Sequence, residues 1–192
     1  MTIVLIIGGY QFYFWAQRQR WFAAWHLETR FDAMINYDPR WVWIYSGLYY
    51  PMIVLAGLSV ASWRDYAIAV GCYLALLAVQ VTFFLFLPVE IPAAWRLVHR
   101  GKWEGTPSQA FLDLVWRFDK LRNSMPSMHV SVAMITDLTI GREWPSLGIL
   151  GLAFPILIAV SALKTKQHYV VDVVPGAALG ALMFWAWHAV VN

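Results

Sequence analysis

Residues 66–88 read YAIAVGCYLALLAVQVTFFLFLP, with no charge after Asp65. A helix needs about 20 mostly apolar residues to cross the hydrocarbon layer of a bilayer, and this run has them. Working outward, residues 41–62 (WVWIYSGLYYPMIVLAGLSVAS), 146–163 (SLGILGLAFPILIAVSAL) and 170–191 (VVDVVPGAALGALMFWAWHAVV) read the same way. Residues 2–16 are apolar but short, so Arg18 and Arg20 must snorkel. Residues 127–141 (SMHVSVAMITDLTIG) are short and carry Ser131, Thr136, Asp137 and Thr139. A helix this polar is stable only inside a bundle. The expected fold is all-α: a six-helix transmembrane bundle forming one integral membrane domain over residues 1–192.

Composition agrees. Of the 192 residues, 60% are hydrophobic and 13% charged, against roughly 25% charged in an average soluble domain. A soluble chain of this size would expose apolar patches beyond the few hundred Å² that monomers tolerate. The single cysteine, Cys72, excludes a disulfide scaffold. The net charge of +3 is too small to suggest a nucleic-acid partner; membrane lipids are the expected surroundings. Trp15, Trp21, Trp25, Trp41, Trp43, Tyr45, Trp185 and Trp187 fall near helix ends, as in an aromatic belt. The first stretch lacks a basic leader and a small-residue cleavage site, so it reads as a retained helix.

Six helices place segments 17–40, 89–126 and 164–169 on one face, X. That face carries 12 of the 14 Lys and Arg residues, with Arg64 and Arg142 on the other, Y. The positive-inside rule would make X cytoplasmic, but basic residues gathered around an anion give the same count. Segment 89–126 is too long for a bare connection. Within it, Thr106-Pro107-Ser108-Gln109 reads as a capping box with Pro at the first helical position. Phe111, Leu114, Val115 and Phe118 then share one face, with Asp113, Arg117 and Lys120 opposite. The expectation is an interfacial amphipathic helix between helices three and four, with an Asp113–Arg117 pair.

Two blocks carry chemistry. Asn123-Ser124-Met125-Pro126-Ser127-Met128-His129 leads into the fourth helix, where free N–H groups and the positive helix end favour an anion. Ser161-Ala162-Leu163-Lys164-Thr165-Lys166-Gln167-His168-Tyr169-Val170-Val171-Asp172 joins helices five and six. His168 and Asp172 are four apart and share a helix face. Asp172 can accept a proton from one ring nitrogen and leave the other as a lone pair. The competing reading is a buried His–Asp pair that pins two helices. Alternating topology brings His129, His168, Asp172, Lys164 and Lys166 to one depth on face X. His26, His99 and His188 read as structural, Glu90 as part of the exit of helix three, and Asp137 as paired near face Y.

These residues resemble the type 2 phosphatidic acid phosphatase superfamily, whose blocks run K-x6-R-P, P-S-G-H and S-R-x5-H-x3-D. Pro126-Ser127-Met128-His129 is similar to the second block, with Met128 for Gly. Ser161, His168 and Asp172 match the third at full spacing, with Ala162 for Arg. The first block is missing: no Arg-Pro pair exists, and Leu87-Pro88-Val89-Glu90-Ile91-Pro92, followed by Arg96, stands in its place. The resemblance covers roughly residues 40–190. The departures look like the branch that includes inositol phosphorylceramide synthases. There Thr165-Lys166-Gln167-His168-Tyr169 and the Arg117-Phe118-Asp119…Asn123…Pro126-Ser127-x-His129 stretch have close likenesses.

Phosphoryl transfer needs an in-line nucleophile, a proton donor for the leaving oxygen and groups that hold the equatorial oxygens. Position and resemblance together imply that His168 attacks phosphorus, Asp172 orients it, and His129 protonates the leaving oxygen. Ser127 and the helix-four N–H groups are expected to hold an oxygen, with Lys164, Lys166, Arg96 and Arg122 as further phosphate-binding candidates. No metal or other cofactor enters this scheme. The expected function is a membrane-embedded lipid phosphatase acting on a phosphorylated lipid. The alternatives are a lipid phosphotransferase with an alcohol or lipid acceptor, and a non-enzymatic transporter or structural bundle. The expected location is a bacterial inner membrane with the site facing outward, as the resemblance implies.

Overall fold

An apolar run can be stable in lipid only if its backbone groups bond among themselves, so each run becomes a helix. The computed structural model describes residues 2–98, 101–146 and 152–191. These residues form α1 (Thr2–Ala16), α2 (Arg30–Met34), α3 (Tyr49–Ser59), α4 (Trp63–Phe86), α5 (Ala94–Val98), α6 (Pro107–Phe118), α7 (Met128–Glu143), α8 (Ala153–Lys164) and α9 (Val170–Val191). A 3₁₀ turn (Pro39–Trp41) and a π turn (Trp43–Leu48) lead into α3. The described residues are all-helical and hold no strand; three helices, Pro39–Ser59, Trp63–Phe86 and Val170–Val191, are long and apolar enough to cross a membrane. His99 and residues 147–151 of the expected fifth span lie outside the described residues.

Capping chemistry sets several boundaries. Ser62 accepts from Asp65 N–H and starts α4. Thr106 accepts from Gln109 N–H and starts α6 behind Pro107. The side chain of Gln109 does not return to Thr106, as a full capping box requires. It bonds Tyr37 and Asp113 instead, because the segment before α3 packs on α6. Asp32 closes a box with Thr29 at the start of α2 and also accepts from Val170 N–H, so one carboxylate caps α2 and α9.

Helix α7 runs through the centre, packed on α3, α4, α8 and α9. Two of its hydroxyl residues are satisfied there. Ser131 accepts from Gln80 and donates to the Ser127 carbonyl, and Thr136 pairs with Tyr73. Asp137 is buried, and no hydrogen bond or ion pair joins it to another described residue.

The contact between α7 and α9 is unusually close. Gly176 and Gly180 of α9 lie against the backbone of Ser127 and Ser131 on α7. A Cβ on Gly176 would approach the Ser127 carbonyl oxygen to 2.7 Å, and one on Gly180 would overlap the Ser131 carbonyl. Small residues four apart allow this approach between helices in lipid. The fit fixes the start of α7, with His129, against the start of α9, with Asp172 and, in the turn just before it, His168. Ser127 N–H donates to the Asp172 carbonyl at 3.1 Å and ties the two starts together.

Candidate active site

Three segments meet above α7 and α9: residues 89–91, residues 119–127 and the α8–α9 turn at 164–169. Ile91 N–H donates to the Leu121 carbonyl and Ser124 N–H to that of Val89. Leu121 (φ 66), Asn123 (φ 72) and Lys166 (φ 55) all hold left-handed backbone. That conformation is costly for residues with a Cβ and persists where the surroundings enforce it. All three lie within the segments that frame the histidines.

The His168 Nδ1 atom lies 2.9 Å from the Ser124 carbonyl oxygen and 3.4 Å from Asp172 Oδ2. A carbonyl can only accept, so Nδ1 carries the proton and Nε2 keeps the lone pair. The nearer partner is thus the Ser124 backbone, with the Asp172 carboxylate behind it. Asp172 is fully buried; its Oδ2 accepts from Ser124 Oγ in a short contact and from Tyr169 N–H at 2.8 Å. Two donors and a nearby imidazole compensate the burial on the Oδ2 side, while Oδ1 is buried with no partner among the described residues.

His129 sits across from it, the ring centroids 6.2 Å apart. Tyr45 stacks on His129 at 4.2 Å, its hydroxyl 3.0 Å from Nδ1, and Tyr49 packs at 4.7 Å. Packing on two sides holds this ring in place. His129 and Gln167 line a cavity of about 310 Å³ whose walls come from α1, the π turn, α3 and the apolar face of α6. The cavity has aromatic sides and a polar end at His129, Asp119 and Gln167, a shape suited to an amphiphile with its polar group at His129.

A family model described as the PAP2 superfamily matches residues 16–186. The chain belongs to the PAP2 superfamily. No curated protein and no solved structure matches it. Membership points to phosphatase-type chemistry, and the long apolar helices fit an integral membrane protein.

The fold brings His129, His168 and Asp172 together and distributes the basic candidates differently. The Lys166 ammonium donates to the Asp32 and Ile35 carbonyls at 2.8 and 2.7 Å and lies over Trp95. Burial pushes its pKa below the ordinary value, with Asp32 and Glu28 opposing the shift. Arg122 donates to the Phe22 carbonyl and pairs with Glu90 at 3.6 Å. Arg96 pairs with Asp119 in a short contact, donates to Gln167 Oε1 and lies over Trp116. Lys164 is half-buried and close enough to Asp38 to lower that carboxyl's pKa, behind the larger effect of Arg40. Ser127 is fully buried as the cap of α7, its oxygen 3.5 Å from Val130 N–H.

Ser124, Tyr45 and Gln167 are the contributors that motif reading passed over. Ser124 and Gln167 stand inside the two quoted blocks, which is the only sequence signal they carry. Tyr45 reads as one more belt aromatic, since nothing in residues 41–62 marks it as a neighbour of His129.

Proposed function

We propose that this chain is a membrane-embedded lipid phosphatase that cleaves a phosphate ester or diphosphate through a phosphohistidine. The observation that carries the reading is the pairing of two histidines 6.2 Å apart, His129 lining the polar end of the cavity and His168 behind it with its Nδ1 proton fixed by a carbonyl. His168 Nε2 attacks phosphorus and the bond to the leaving oxygen breaks. That oxygen takes the proton held by His129. Neutral His129 then takes a proton from water, the hydroxide attacks phosphorus, the P–N bond breaks, and His168 is restored. The Asp172 carboxylate stabilises the positive charge on the phosphorylated imidazole.

In this proposal α1, Pro39–Ser59, α4, α7, α8 and α9 are the six spans, and α6 is the interfacial helix that roofs the cavity. The 15 residues of α1 and 16 of α7 are short for a full crossing; snorkelling side chains and burial in the bundle accommodate them. The substrate is a phosphorylated lipid. The membrane is a bacterial inner membrane with the site outward. The likeness of Thr165–Tyr169 to the inositol phosphorylceramide synthase branch supports a second reading, transfer of the phosphoryl group to an alcohol. It differs only in the acceptor of the second step.

Purified protein offered lipid phosphates and diphosphates, with and without alcohol acceptors, tests both readings. His168→Ala is expected to stay folded and lose at least about 10²-fold in rate. Phosphate release that survives this substitution refutes the mechanism. Activity is expected to persist in chelator, since no step uses a metal.

A further inference from the structure

Gln167 is 4% exposed, directly precedes His168 and lines the cavity with His129 and Asp119. Its amide oxygen accepts from Arg96 Nη2 at 3.1 Å. Only an acceptor can face a guanidinium, so the orientation of the amide is determined. Arg96 is itself fixed: Nη1 donates to the Asp119 carbonyl at 3.1 Å, Nη2 pairs with Asp119 Oδ2, and the plane lies over Trp116. Leu121 N–H holds the other Asp119 oxygen. The amide nitrogen of Gln167 is buried and has no hydrogen-bond partner among the described residues. A buried donor without an acceptor is costly, and native proteins rarely keep one without a use.

We propose that Gln167 Nε2 is a hydrogen-bond donor to a non-bridging oxygen of the phosphoryl group under attack, and that Arg96 is a positioning residue that aims it. The proposal rests on the phosphatase reading and deepens it. It also explains how the site manages with Ala162 where the third block has Arg, and with Lys166 and Arg122 engaged by backbone carbonyls. The donor is a neutral amide held by a cation. The acceptor it fits is any anionic phosphoryl oxygen, in a lipid headgroup or in free phosphate.

Inorganic phosphate is the probe, read both as a competitive inhibitor of lipid phosphate hydrolysis and by direct titration of the purified protein. Gln167→Glu keeps the partner of Arg96 and replaces the donor by a negative oxygen. Gln167→Met removes the donor without adding charge. Both variants are expected to weaken inorganic phosphate by at least about tenfold and raise KM more than they lower kcat, the Glu variant more strongly. Arg96→Lys is expected to shift KM in the same direction. Gln167→Met and Gln167→Glu proteins that bind phosphate as wild type does, with His168→Ala inactive, overturn the role of Gln167 and leave the phosphatase reading standing. Wild-type protein that binds no phosphate, together with an active His168→Ala, overturns both.

Discussion

Ser124 holds both sides of the His168–Asp172 pair: its carbonyl accepts from Nδ1 and its hydroxyl donates to Oδ2. Ser124→Ala keeps the carbonyl and removes one donor from a fully buried carboxylate, a loss of about 1–3 kcal/mol. The expected outcome is a lower unfolding temperature and a kcat reduced by about tenfold, with KM little changed. Thermal unfolding in detergent and steady-state kinetics check this, and an unaltered kcat would remove Ser124 from the machinery. The four-residue spacing made the His168–Asp172 proximity legible, although His168 lies in the turn before α9 and the two do not share a helix face as expected. The carbonyl that lies closer to Nδ1 was not legible, since every residue has one and only the path of the chain decides where it points.

Among the elements, the α7–α9 seam matters most to the site. Gly176 and Gly180 let α9 rest on the α7 backbone at Ser127 and Ser131, so the start of α7 with His129 is packed directly against the start of α9, just after His168. Gly180→Leu inserts a side chain where even a Cβ has no room. Overpacking of this kind costs about 1–3 kcal/mol or more, and the shift it forces passes directly to His129. Loss of activity with an unfolding temperature lower by several degrees is the expected result; a Gly180→Leu protein with wild-type stability and rate would show the seam to be unimportant. The long helices were readable from hydropathy because an apolar run of about 20 residues matches the thickness of the hydrocarbon layer. The five-residue helices α2 and α5 were not: a single turn has no periodicity to detect, and α2 stands on the Thr29–Asp32 cap and the tie from Lys166.

At the scale of the molecule, the cavity is enclosed by α1, the π turn, α3 and α6, which are distant in sequence. Leu114 of α6 lines it and is about half exposed, so Leu114→Trp narrows the way in without touching the histidines. KM for a long-chain lipid phosphate is expected to rise severalfold, while that for a short-chain soluble phosphate stays put; equal effects on both would argue against entry by this route. Sidedness is tested at Lys102, which is exposed. With Cys72 buried, Lys102→Cys gives one accessible thiol. An outward site predicts labelling of intact cells by an impermeant maleimide, and labelling only after lysis would place it inside.

By itself the sequence determined the helical class, the long apolar runs, the spacing of the two chemical blocks and the gathering of basic residues in three segments. These are properties of residue type and local spacing set against the thickness of a bilayer. The tertiary structure alone decided what those basic groups bind, and none of those described is among the residues that line the cavity. Lys166 and Arg122 satisfy carbonyls of segments far away in the chain, and Arg96 is taken up by Asp119 and the Gln167 amide oxygen. Charge can be counted along a chain, but a hydrogen bond has a direction, and that is set only when distant segments are folded against each other.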